Sequence, residues 1–93
     1  MASLEVDLVA ADHTVWTGKA YQVSAPAIDG EIGIRVGHSP ILAVLRPGTV
    51  RVTPDGGGES VSLRVTGGFL SVDSDQVTIV AEGVADVMAP AGR

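Results

Sequence analysis

The sequence predicts an all-β sandwich or barrel of roughly eight to ten short strands, and three observations carry that expectation. Apolar and polar residues alternate with period two along several runs. Those runs are rich in β-branched residues, which suit a pleated surface better than a helix. Turn residues interrupt them at short spacing, and no stretch has the 3.6-residue periodicity of a useful amphipathic helix.

The elements can be read in order. Leu4, Val6 and Leu8 alternate with Glu5 and Asp7, the pattern of a half-buried strand. Asp12-His13 and Thr17-Gly18 read as turn signals, followed by Asp29-Gly30 and Gly37-His38-Ser39-Pro40. The run Ile41-Leu42-Ala43-Val44-Leu45 is apolar throughout. That leaves two placements open: an interior strand covered on both faces, or a strand with one face against a partner. Pro47-Gly48 fits a tight turn, with proline fixing φ and glycine free to adopt positive φ. Val50 and Val52, then Val61, Leu63 and Val65, alternate with polar residues, and 54–58 reads as the hairpin tip joining them. Val77 and Ile79 repeat the pattern after Asp73-Ser74-Asp75. Residues 83–93 lose periodicity and read as a frayed end.

Ninety-three residues accommodate one domain with a modest core. Apolar residues make up 45% of the chain and charged ones 18%, a globular balance. Trp16, Tyr21 and Phe69 are the only aromatics, too few and too scattered to form stacking platforms for single-stranded nucleic acid or sugars. A net charge of −5 and a pI near 4.6 argue further against a phosphate backbone as partner. The absence of cysteine excludes disulfides and thiolate metal sites. MASLEVDLVAADH lacks a basic segment followed by an apolar core, so no signal peptide is expected. No apolar run reaches the roughly 18 residues of a spanning helix.

Catalytic chemistry finds little support. His13 and His38 are far apart in sequence and lack the further ligands that a zinc site requires. His38-Ser39 has no G-x-S-x-G elbow around it, and Ser39-Pro40 is a turn start. Gly56-Gly57-Gly58-Glu59-Ser60 lacks the Gly-Lys-Ser/Thr ending of a phosphate loop and reads as a hairpin tip. Asp73-Ser74-Asp75 lacks the spacing of a calcium loop and reads as a polar turn. A small ion- or ligand-binding sandwich using His13, His38 and the acidic turns is the alternative to a pure interaction domain.

Four elements in register resemble one family. They are GEIGIRVGHSP at 30–40, LRPG at 45–48, TGGFLSV at 66–72 and VTIVAE at 77–82. With Leu8-Val9-Ala10 and Val15-Trp16-Thr17-Gly18, this order is similar to the epsilon subunit of F-type ATP synthases, from about Leu4 to Ala85. The resemblance implies a flattened β-sandwich of about ten strands over residues 1–85, with 86–93 a tail where that family's C-terminal helical hairpin would otherwise begin. It implies a non-catalytic rotor subunit of the central stalk, without cofactor or metal. Its partners would be the gamma subunit and the polar loops of the membrane c-ring, and its place peripheral, at the cytoplasmic face of a bacterial plasma membrane.

By position, Asp29, Gly30 and Glu31 are then c-ring-facing, while His38, Ser39, Pro40, Leu42 and Ala43 are gamma-facing. The family's c-ring loops present a basic residue, which gives Glu31 an opposite charge. An exposed pair of that kind contributes about 0–1 kcal/mol, so it orients more than it holds. The sequence departs from the family at Arg93, its last residue, so an inhibitory role or nucleotide site in the hairpin does not transfer. It also carries Val36 where proline is common.

Overall fold

The computed structural model describes residues 3–10, 13–56 and 59–83 together with the backbone of 87–88. Among these are nine β-strands and no helix, in the order β1 (Leu4–Ala10), β2 (His13–Ala27), β3 (Gly30–Arg35), β4 (Ile41–Leu45), β5 (Gly48–Pro54), β6 (Val61–Val65), β7 (Gly67–Asp73), β8 (Gln76–Glu82) and β9 (Val87–Met88). The body is flattened, with extents of 34 × 32 × 24 Å.

One long strand organises the fold. The first half of β2 pairs antiparallel with β1, from Ala10↔His13 to Leu4↔Ala20. Its second half pairs with β3 on one side, through Val23↔Ile34 and Ala25↔Ile32, and with β5 on the other, through Val23↔Val52. A register shift between Ala20 and Gln22 marks the passage from one layer to the next, as bulges do where a strand bends. The first layer runs β4-β7-β8-β1-β2, with β1 and β8 parallel, and the second runs β3-β2-β5-β6-β9. A single pair, Ala27↔Leu45, closes β2 onto β4. Arg46 reinforces that corner: its backbone N–H donates to Pro26 O at 2.8 Å, and its Nε–H to Ala27 O at 3.0 Å.

The core lies between the layers and follows from the alternation. Leu4, Val6, Leu8, Leu70, Val72, Val77 and Ile79 point inward from the first layer. Val23, Ile34, Val50, Val52, Leu63 and Val65 meet them from the second. Each such side chain, taken out of water, contributes about 1.5–3 kcal/mol. No charged or polar residue is buried among the described residues.

One reading of the sequence needs correction, and one alternative left open is now decided. Thr17-Gly18 is not a turn but lies inside β2, with Gly18 opposite Val6. Glycine makes room there: a Cβ would stand 3.1 Å from the Trp16 indole, which folds over it, so a larger residue needs that ring to shift. β2 therefore runs 15 residues without interruption, so the strands are not uniformly short. Second, Ile41–Leu45 is not an interior strand, because Leu42 and Val44 face solvent. The turns expected at Asp29-Gly30, Gly37-His38, Pro54-Asp55 and Ser74-Asp75 are present. Of the expected tail, Val87–Met88 pair with β6, while 84–86 and 89–93 lie outside the described residues, as do Asp12 and the Gly57-Gly58 tip.

Candidate docking surface

The alternation that fills the core should leave polar residues outside, and on one face it does not. β4, β7, β8 and β1 carry apolar side chains at outward positions: Val44, Phe69, Val80 and Val9. The register sets these four in a single row, Val44↔Phe69, Phe69↔Val80 and Val80↔Val9. Directly opposed side chains in adjacent strands lie about 4.5–5.5 Å apart, so the row is a continuous ribbon rather than scattered exposure. Leu42 extends it along β4 at 74% exposure, and Ile28, whose N–H donates to Val44 O at 3.0 Å, extends it beyond the corner at 60%. Phe69 itself is 48% exposed. Contiguous apolar surface of this kind marks a partner site.

Of the residues expected to face gamma, Leu42 belongs to this ribbon and the others do not. Ala43 lies on the opposite face of β4, with Ile41 and Leu45. It lines an open cleft of about 500 Å³ between the edge of β4 and the β2–β3 hairpin. Asp29, Gly30 and Glu31 line the other wall of the same cleft. Residues assigned to two partners thus meet around one groove.

His38, Ser39 and Pro40 form the loop leading into β4, at the far end of β3 from Asp29. Six residues of β3 separate the two ends, about 17 Å at strand rise. The His38 N–H donates to Arg35 O at 3.1 Å, and its Nδ1 lies 2.8 Å from Ser39 O. The ring therefore engages its own loop. It lies in a shallow recess with Gln22, Gly33 and Arg35, whereas His13 opens β2 nine positions before Gln22. The two histidines do not converge, and among the described residues no three His, Asp or Glu side chains gather as metal ligands.

Sequence reasoning had Val44 only within the apolar run 41–45, and it missed Phe69, Val80 and Val9. The signal was present: each is an apolar residue at the outward position of a strand whose inward positions are already apolar.

The family model for the ATP synthase delta/epsilon chain β-sandwich domain matches residues 3–87. The chain belongs to the ATP synthase delta/epsilon family. It is 50% identical over 82 residues to the ATP synthase epsilon chain of Micrococcus luteus, covering 87% of this chain and 88% of that one. It is 45% identical to the epsilon chain of Chromohalobacter salexigens and 42% to that of Halorhodospira halophila, each over 88% of this chain. It spans only 57% and 58% of the length of those two family members. The fold recurs in the Euglena gracilis mitochondrial ATP synthase OSCP/F1/c-ring structure, with a TM-score of 0.82 at 21% identity over 100% of this chain and 57% of that one. It recurs again in the central stalk/c-ring structure of Tetrahymena thermophila mitochondrial ATP synthase, with a TM-score of 0.70 at 18% identity over 95% and 67%.

Proposed function

We propose that this chain is a non-catalytic rotor subunit of a proton-translocating F-type ATP synthase, joining the gamma subunit to the c-ring. The observation that carries this reading is the apolar ribbon of Leu42, Val44, Phe69 and Val80 on one outer face of a sandwich whose relatives are epsilon chains. Gamma covers that ribbon. The polar β2–β3 tip, Asp29, Gly30 and Glu31, meets the c-ring loops, and the shared cleft brings Ala43 to the junction of the two contacts. His38, Ser39 and Pro40 form the shoulder on which gamma's contact ends. Residues 1–85 act as the stalk domain, held peripherally at the cytoplasmic face of a bacterial plasma membrane by these partners. The work is mechanical, so the chain supplies shape and adhesion rather than a reacting group.

The test is co-purification with the cognate gamma subunit. Phe69→Asp and Leu42→Asp each place an unpaired carboxylate in an apolar contact and should weaken gamma binding by about a hundredfold, the loss of a central anchor. Both residues point outward, so melting temperatures should stay close to that of the parent chain. Wild-type affinity in both variants would overturn the assignment of this face.

A further inference from the structure

The outer face of the second layer has the opposite character. Its outward positions on β5 and β6 include Thr49, Arg51, Ser62 and Arg64, flanked on β2 by Ser24. The register pairs Thr49 with Arg64 and Arg51 with Ser62, so guanidinium and hydroxyl groups alternate as a two-by-two grid. These four residues line a recess of about 130 Å³.

The arginines of this grid differ from the other described cations. Lys19 is paired with Glu5, Arg35 donates to Gln22 and lies over the Tyr21 ring, and Arg46 donates to Ala27 O. Arg51 and Arg64 have neither an ion pair nor a hydrogen bond with any described residue. Arg51 and Arg64 sit at diagonal positions of the register, both exposed, so their heads face the same side of the sheet.

We propose that Thr49, Arg51, Ser62 and Arg64 form a binding site for a phosphate-class oxyanion. Two guanidinium forks and two hydroxyls supply donors from four corners, which matches the acceptor-only surface of a phosphoryl group. The recess is far smaller than the roughly 300 Å³ at which pockets begin to enclose drug-sized ligands, so the site grips the phosphoryl group and leaves any attached moiety outside. A neighbouring recess shares Thr49 and Arg51 and adds Arg46, so a second phosphoryl group has a cation within reach. Glu31 lines that recess as well, and its carboxylate weakens the hold on a second phosphoryl group.

The full chain is titrated with sodium phosphate and with sodium pyrophosphate, at ionic strength held constant with sodium chloride, and followed by amide NMR. Saturable millimolar shifts are expected at Thr49, Arg51, Ser62 and Arg64, with pyrophosphate about threefold tighter or better. The double variant Arg51→Gln/Arg64→Gln should weaken both by about tenfold or more while the chain remains folded. Thr49→Val/Ser62→Ala, which keeps both charges, should weaken them less. Sedimentation with phosphatidylcholine vesicles, with and without phosphatidylglycerol, separates the sources. Arginine-dependent binding to the anionic vesicles assigns the group to a lipid headgroup, and titration by free phosphate without it assigns a soluble ligand. Failure of phosphate, pyrophosphate and vesicles to bind, or binding unchanged in the arginine variant, overturns the proposal.

Discussion

The backbone N–H of Gly37 donates to Asp75 Oδ1 at 2.8 Å, joining two turns 38 residues apart in sequence. Asp75 also accepts the Glu5 N–H on its own carbonyl at 2.8 Å, and it holds a φ of 64° in the β7–β8 turn. One aspartate therefore sets the turn, anchors the start of β1 and fixes the loop that carries His38.

Asp75→Ala should destabilise the chain by about 1–2 kcal/mol, combining a lost charge-assisted bond with a side chain poorly suited to positive φ. Asp75→Asn keeps both an acceptor oxygen and tolerance of that conformation, so it should cost less. Urea denaturation of the three proteins gives the comparison. Equal midpoints for Ala and wild type would remove the anchoring role.

Gly68→Ala should be worse. Gly68 has a φ of 134°, and a Cβ there would collide with the backbone carbonyl of Val80. Backbone cannot swing aside as a flexible side chain can, so about 2–4 kcal/mol of stability should go, from strain and disrupted pairing together. A thermal melt decides it. Because Phe69 follows directly, any surviving fold should also bind gamma less well.

Lys19 provides a pH readout. Its Nζ donates to Glu5 Oε2 at 2.6 Å, and first this hydrogen bond, then the carboxylate's charge, raise the ammonium pKa above its ordinary 10.5. The folded-state value exceeds the unfolded one. Whatever stability the pair contributes is therefore complete below the ordinary lysine value and is lost as pH rises through the raised value. Side-chain NMR should place the Lys19 midpoint above 10.5, and Glu5→Gln should return it toward that value. Both groups are largely solvated, so the melting temperature near neutral pH should hardly move in Glu5→Gln.

Glu31→Lys should separate the two proposed contacts. It reverses the charge at the β2–β3 tip without touching the apolar ribbon, so gamma affinity should persist while c-ring association weakens a fewfold. Reconstitution of gamma, this chain and the c-ring, scored by co-sedimentation, measures both. A parallel loss of the two affinities would contradict a division between tip and face.

Inward faces were legible because alternation by two leaves little freedom: once Leu4, Val6 and Leu8 point in, Glu5 and Asp7 must point out. The Gly18 error shows where local chemistry misleads, since a glycine that yields space to an indole is spelled like one that makes a turn. Leu42 was found because its strand is apolar throughout. Phe69 and Val80 were not, because each is a single departure from alternation. Only the strand register, a long-range property, shows that these departures align. Ala43 was placed with Leu42 by its position in the family resemblance, yet a strand sends neighbours to opposite sides.

The unbroken run of β2 through both layers has a mechanical consequence. A body made of two stacked sheets ordinarily yields by sliding one over the other. Here the same backbone serves both, and the Arg46 clamp at Ala27 pins its far end. Shear on one outer face is carried as tension along a covalent chain, so the two layers resist sliding past each other.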